Sequence, residues 1–240
     1  MKKIVWVIGA NSDVAREFIK NEADTSCEYV LASRNVSSLQ EFIQKQQMIN
    51  ATAVHIDLER EECISAFVRE RETPYGILIT AGCLEDSACI NRIEEMKRVF
   101  AANLLGIISL MEHILPKMYK NKQGFVIGLS SIAGERGKSS NVLYSSAKAG
   151  LTSYLEGIMQ KNEKHNIRTI IVKPGFIHSK MLHQSGKQPN RLLVCEPQQV
   201  AHKIAKAIRK DQSAEFYVSG IWRLLMFLYR LIPIKMYKLF

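Results

Sequence analysis

Seven short, mostly apolar segments set the limits on this chain's architecture, Ile4 to Ile8 being a continuous run. They are Ile4 to Ile8, Tyr29 to Ala32, Thr52 to Ile56, Tyr75 to Thr80, Gly124 to Leu129, Ile167 to Val172 and the brief Phe216 to Val218. Continuous rather than alternating hydrophobicity marks strands buried on both faces, as in parallel sheets. Helical stretches separate the runs: Arg16 to Asn21, Val36 to Gln47, Glu59 to Glu70, Ile93 to Tyr119, Ser139 to Asn162 and Gln198 to Lys210. Strands alternating with helices predict an α/β fold, a doubly wound seven-stranded parallel sheet in the order 3-2-1-4-5-6-7.

The chain has 240 residues, 47% of them hydrophobic, enough for one large domain with a sizeable core. Met1-Lys2-Lys3 followed by Ile4 to Ile8 superficially suggests a signal peptide. Asn11, Asp13 and Arg16 end the apolar run too soon, so it reads as a first buried strand. No stretch of about 18 uncharged apolar residues predicts a membrane span. Cys27, Cys63, Cys83, Cys89 and Cys195 are odd in number and lack CxxC spacing, which fits a reducing cytoplasm. The six histidines form no metal set. A net charge of +10 points to anionic partners. Without a zinc-finger, RNA-binding or helix-turn-helix signature, nucleic acid ranks last.

The densest chemistry lies between Ser131 and Lys148. Tyr144 and Lys148 are four residues apart and share a helix face. Ser131 stands thirteen residues before Tyr144, at the end of a strand. A hydroxyl, a phenol and an ammonium brought together suit proton donation to a carbonyl oxygen. The ammonium is expected to lower the phenol's pKa and the serine to hold the oxygen.

With this spacing the chain resembles the short-chain dehydrogenase/reductase family. The resemblance covers about residues 1 to 220 and implies a Rossmann-type catalytic domain. It implies Tyr144 as general acid/base, Ser131 as holder of the substrate oxygen and Lys148 as ligand of the nicotinamide ribose. Asn103, in Ala102-Asn103-Leu104-Leu105-Gly106, would help hold a water in a proton relay. The glycine turn would be Gly9-Ala10-Asn11-Ser12-Asp13-Val14-Ala15, so that Gly9, Asn11, Ser12, Asp13 and Val14 face the pyrophosphate. Only the first of the family's three glycines is kept. Asp13 is the larger departure: its carboxylate either caps the helix or must point away from the phosphates.

Ser33-Arg34 at the end of the second run favours NADP(H) over NAD(H), because an Arg there accommodates a 2′-phosphate. A solvated loop Arg is the plainer alternative. Asp57 beside Leu58 would meet adenine, or else cap the next helix. Thr80-Ala81-Gly82 stands where the family has Asn-Ala-Gly. Ala81 and Gly82 still admit a ribose, and the Thr80 hydroxyl would have to remake the lost asparagine contact. Pro174-Gly175-Phe176-Ile177-His178-Ser179 resembles the family's nicotinamide loop, placing Pro174, Gly175, Ile177 and Ser179 at the carboxamide. Ser179 to Cys195 reads as a mobile substrate loop without periodicity.

The resemblance implies reversible hydride transfer between NADP(H) and a small-molecule carbonyl or secondary alcohol, in a homodimer or homotetramer. The turn together with Ile221 to Phe240 is similar to keto-sugar reductases of bacterial polysaccharide pathways, some acting on lipid-linked sugars. Sixteen of those last twenty residues are apolar or aromatic, and the others are Arg223, Arg230, Lys235 and Lys238. Such a segment suits peripheral contact with the inner face of a cell membrane. Packing over the substrate site, or a subunit contact, is the alternative. A non-catalytic dinucleotide-binding sensor or scaffold is the second functional class.

Overall fold

The computed structural model describes residues 2–86, 89–233 and 235–236. Its main strands are β1 (Lys3–Ile8), β2 (Cys27–Ser33), β3 (Ala51–His55), β4 (Gly76–Ile79), β5 (Gly124–Leu129) and β6 (Ile167–Lys173). Two short strands follow, β7 (Phe176–Ile177) and β8 (Val194–Cys195), and then β9 (Ala214–Tyr217). The seven-stranded sheet runs β3-β2-β1-β4-β5-β6-β9, every neighbouring pair parallel, as the apolar runs predict.

Strand β1 shows why its run is unbroken. Val5 and Val7 face one core, and Trp6 and Ile8 face the other. On the first side, α1 (Asp13–Asn21), α2 (Val36–Lys45) and α8 (Pro197–Arg209) bury Phe18, Leu39 and Ile204. On the second, α3 (Glu61–Arg69), α5 (Gly106–Asn121) and α6 (Val142–Glu163) bury Phe67, Leu110 and Leu155. Each such core side chain, cut to alanine, costs about 2–5 kcal/mol.

The stretch read as one helix from Ile93 to Tyr119 is interrupted. α4 (Arg92–Phe100) joins α5 through a π turn, Ala101–Leu105, centred on Asn103. By length and composition Arg92–Asn121 would pass for a membrane span. Its residues Ile107, Leu110, Met111 and Ile114 are buried against the sheet, as in the core helix of a globular domain.

Ser179 to Cys195, expected to lack structure, contains α7 (Lys180–Gln184), a 3-10 turn at Arg191–Leu193 and β8 paired with β7. Elements of two to five residues are too short to print a period on the sequence. α9 (Gly220–Leu231) follows the sheet. Ile234 and residues 237–240, which include the Tyr237, Lys238 and Phe240 of the basic apolar segment, lie outside the described residues.

Candidate active site at the carboxyl ends of the central strands

β1 leads outward to β2 and β3, and the chain then returns to β4 on the other side of β1. A crevice forms where the order reverses, at the carboxyl ends of the strands. Here it is a cleft of about 410 Å³, lined among others by Gly9, Ser12, Arg34, Asp57, Gly82 and Ser179. Asn11, Asp13, Val14, Leu58, Ala81 and Ile177 line it too. Pro174, Gly175, Ser131, Tyr144 and Lys148 do not; Lys148 lies behind Gly82.

The turn between β1 and α1 is built without the family's second and third glycines. Gly9 has φ +81°, and a Cβ there would stand 2.5 Å from the Ala81 nitrogen, so this glycine is required. Ser12, not Asp13, caps α1, its hydroxyl accepting the Ala15 N–H at 3.1 Å. The same hydroxyl donates to the Thr80 hydroxyl at 2.9 Å. Thr80 reaches the Gly9 and Ile8 carbonyls at 3.0 and 3.2 Å. The hydroxyl at position 80 thus ties the end of β4 to the turn after β1. Asp13 opens α1, and its carboxylate accepts the Lys180 N–H at 2.8 Å, fastening the start of α7 over the cleft. That carboxylate turns to a backbone donor instead of capping its own helix.

Asn11 donates to the Ser33 hydroxyl at 2.6 Å and the Asn35 carbonyl at 2.8 Å, joining the turn to the end of β2. Arg16 completes this corner by donating to Asn11 Oδ1 at 2.8 Å and to Ser38 Oγ at 2.7 Å. Arg34 is exposed and pairs with Glu59 at 2.8 Å, an acid that also lines the cleft. Asp57 Oδ1 accepts the Glu59 N–H at 3.0 Å, closing a local turn. It does not cap α3, which begins at Glu61 behind Arg60 and has no side-chain cap.

Behind Gly82 the polar set converges. Ser131 ends β5 as cap of the next 3-10 turn, accepting the Ala133 N–H at 3.1 Å. Its side chain acts on the Tyr144 phenol, favouring the ionised form. Ser130 is turned away, at 2.6 Å from the Thr152 hydroxyl. Lys148 is 3% exposed and donates to the Leu129 carbonyl at 3.0 Å. Asn103 is wholly buried. Its amide donates to the carbonyls of Cys83 and Val99, both at 2.8 Å, and its oxygen accepts the Cys83 N–H at 3.3 Å. Both amide hydrogens are spent on backbone, so the side chain pins the Gly82–Cys83 segment and can hold a water only through Oδ1.

One electrostatic expectation is corrected. Burial pushes the Tyr144 phenol up to about 12, against the opposing effect of Ser131. Burial pushes Lys148 down to about 8. The ammonium lies 5.8 Å from the Tyr144 ring centre and is aimed at a carbonyl. Desolvation of both groups therefore outweighs their mutual attraction.

Sequence reasoning missed Glu85. It sits in the loop after β4, nearly buried, and accepts the N–H groups of Leu143 and Tyr144 at 3.1 and 3.5 Å. Asn141, at the N-cap of α6, makes no side-chain cap bond, so this distant carboxylate caps the helix that carries Tyr144. No fixed spacing in the sequence announces such a partner. Cys83, which lines the cleft and is hydrogen-bonded through its backbone to Asn103, was also missed.

A family model described as short chain dehydrogenase matches residues 3–190. Ketoacyl reductase HetN of Nostoc sp. is 25% identical over 230 residues, covering 90% of this chain and 78% of that protein. Carbonyl reductase family member 4 of Danio rerio is 27% identical over 186 residues, covering 75% and 78%. Among solved structures, a short-chain dehydrogenase from Streptomyces avermitilis matches at TM-score 0.81 and 19% identity, over 95% of this chain and 93% of that one. One from Sphingobium yanoikuyae in complex with NADPH matches at TM-score 0.81 and 16% identity, over 97% of each chain.

Proposed function

This chain belongs to the short-chain dehydrogenase family, and we propose that it is an NADP(H)-dependent oxidoreductase interconverting a carbonyl and a secondary alcohol. The single observation that carries the reading is the convergence of three side chains: Lys148, buried behind Gly82, lies 5.8 Å from the Tyr144 ring centre, and Ser131 acts on the Tyr144 phenol.

The cleft fits a dinucleotide. Its volume lies in the range of small-molecule sites, and the amide end of α1 borders it through Asp13 and Val14. Gly9, Asn11, Ser12, Asp13, Val14, Arg34, Asp57, Leu58, Ala81 and Gly82 would hold the cofactor. Tyr144, Lys148, Pro174, Gly175, Ile177 and Ser179 would hold its nicotinamide end. The cofactor supplies or accepts the hydride. In reduction, Ser131 holds the carbonyl oxygen and Tyr144 gives it a proton. Lys148, with a pKa of about 8, exchanges protons readily near neutral pH. Asn103 keeps Gly82 and Cys83 against these groups. Arg34 favours the phosphorylated cofactor. The NADPH in the Sphingobium yanoikuyae complex is in keeping with that choice.

The substrate we propose is a small carbonyl compound, a keto-sugar or lipid-linked keto-sugar of a cell-envelope pathway being the first to try. The setting is the cytoplasm, and the working unit a homodimer or homotetramer. A binding-only role has no use for a buried phenol grouped with a serine and a buried lysine. Tyr144→Phe tests the reading against a carbonyl panel. Turnover should fall about 1000-fold or more, while NADPH binding by fluorescence is kept. Turnover near the parent level would remove Tyr144 as the acid.

A further inference from the structure

Helix α9 is apolar on two opposite sides, and the two sides meet different surroundings. Trp222 and Met226 are buried against Ile132, with Phe176, Leu193 and Tyr217 around them. That seat adjoins the segments that follow Ser131 and β6. The Trp222 indole lies on Gly175, leaving no room for a side chain there, and donates to the Leu193 carbonyl at 3.0 Å. Arg136, in the turn that follows Ser131, donates to the carbonyls of Tyr229 and Ile232 at 2.7 and 2.8 Å. Arg230 pairs with the buried Glu135. α9 is therefore fastened both to the loop after Ser131 and to the loop after β6.

The other side carries Ile221, Leu224, Phe227, Leu228 and Leu231, each between 41% and 64% exposed. At about 100° per residue these five fall within one arc of about 120°. An exposed helix face this apolar is stable in water only when something covers it. The margin of this arc is basic: Arg223 is exposed beside it, while Arg230, two turns on, is paired with Glu135. From Phe216 to Phe240 the sequence holds four basic residues and no acid. Two copies meeting through a two-fold axis would set this basic margin against itself. An anionic bilayer satisfies both the apolar arc and its basic margin.

We propose that α9 lies in the interface of an anionic membrane, with Leu224, Phe227 and Leu228 in the acyl boundary and Arg223 among the headgroup phosphates. Because the inner side of the same helix braces the loops after Ser131 and β6, the docked protein has its active-site mouth at the bilayer surface. The carbonyl substrate is then one presented at that surface, an amphiphile. This last step rests on the oxidoreductase reading; the docking does not.

The test uses the full chain and two vesicle preparations, phosphatidylcholine alone and phosphatidylcholine with about one third phosphatidylglycerol. The protein should sediment with the anionic vesicles only, less so as salt rises. Leu224→Glu with Phe227→Glu should lower the partition coefficient by about tenfold or more, with Tm and NADPH binding unchanged. If that pair lowers Tm, Arg223→Glu replaces it and should also weaken binding to anionic vesicles. Protein that stays in the supernatant, or variants that partition like the parent, overturns the proposal. So does a dimer in solution that the Leu224→Glu, Phe227→Glu pair dissolves, which would make the occupant a second copy. Truncation after Gly220 is unsuitable, because it strips Trp222 from Gly175. Docking is read without turnover, so its failure is distinct from that of the Tyr144 assignment.

Discussion

The Glu85 carboxylate accepts the backbone N–H of Leu143 at 3.1 Å, and so holds the first turn of the helix that presents Tyr144. The contact joins the loop after β4, which continues the cleft wall, to the element bearing the proposed acid. Glu85 is therefore a positioning residue. Glu85→Ala should lower kcat about tenfold, leave the NADPH Kd unchanged and cost about 1 kcal/mol of stability. Glu85→Gln keeps an acceptor and should recover most of kcat, a recovery that simple loss of packing would not give. Steady-state kinetics beside urea unfolding checks this.

Thr80 bridges the turn after β1 and the end of β4 through one hydroxyl. Thr80→Ala leaves the Ser12 hydroxyl and the Gly9 carbonyl without that partner and should cost about 1–2 kcal/mol. Thr80→Ser keeps the bridge and should cost less. Chemical denaturation compares the two, and equal losses would show that the methyl rather than the hydroxyl matters.

Arg34 and Glu59 oppose each other over one edge of the cleft, at 2.8 Å. If Arg34 meets a 2′-phosphate, Arg34→Ala should weaken NADPH binding about tenfold or more and leave NADH nearly unchanged. Glu59→Gln removes a carboxylate competing for the same guanidinium and should tighten NADPH. Fluorescence titration of both cofactors reads the pair, and equal losses for NADPH and NADH in Arg34→Ala would exclude a phosphate contact.

Lys148 gives a pH signature in the nucleotide-free protein. Its pKa is 10.5 in a model peptide and about 8 in the fold. Between those values the unfolded chain binds more protons than the folded one, so stability rises with pH across that window. The full change is about 3 kcal/mol. Tyr144 works the other way, from 10.0 to about 12, where the folded state holds the extra proton and stability falls as pH rises. Lys148→Met should be more stable than the parent at pH 7, inactive, and without the rise above pH 8. Urea midpoints of the parent and of Lys148→Met between pH 7 and 10 test the sign, and a parent that does not gain on Lys148→Met as pH rises would show that Lys148 is not desolvated.

The sheet was legible because β1, β4, β5 and β6 are buried on both faces and so print mostly apolar segments. Ser131, Tyr144, Lys148 and Asn103 were legible as residue types at characteristic spacings. What the spacings do not carry is the partner of each group. Asp13 finds its donor 167 residues away, and Glu85 its amides 58 and 59 residues away, because the fold and not the local chain brings them together. The direction of the Tyr144 shift was misjudged for a related reason: residue types reveal charges but not the loss of water around them. The π turn at Asn103 stayed hidden because a single added residue in a long helix barely disturbs its apolar rhythm.

Asp13 belongs to the turn that would cradle the nucleotide, and its carboxylate also anchors the start of the segment arching above it. On the proposed reading, release of spent cofactor is coupled to movement of that segment. The substitution that looks like damage to a glycine motif would then set the tempo of each catalytic cycle.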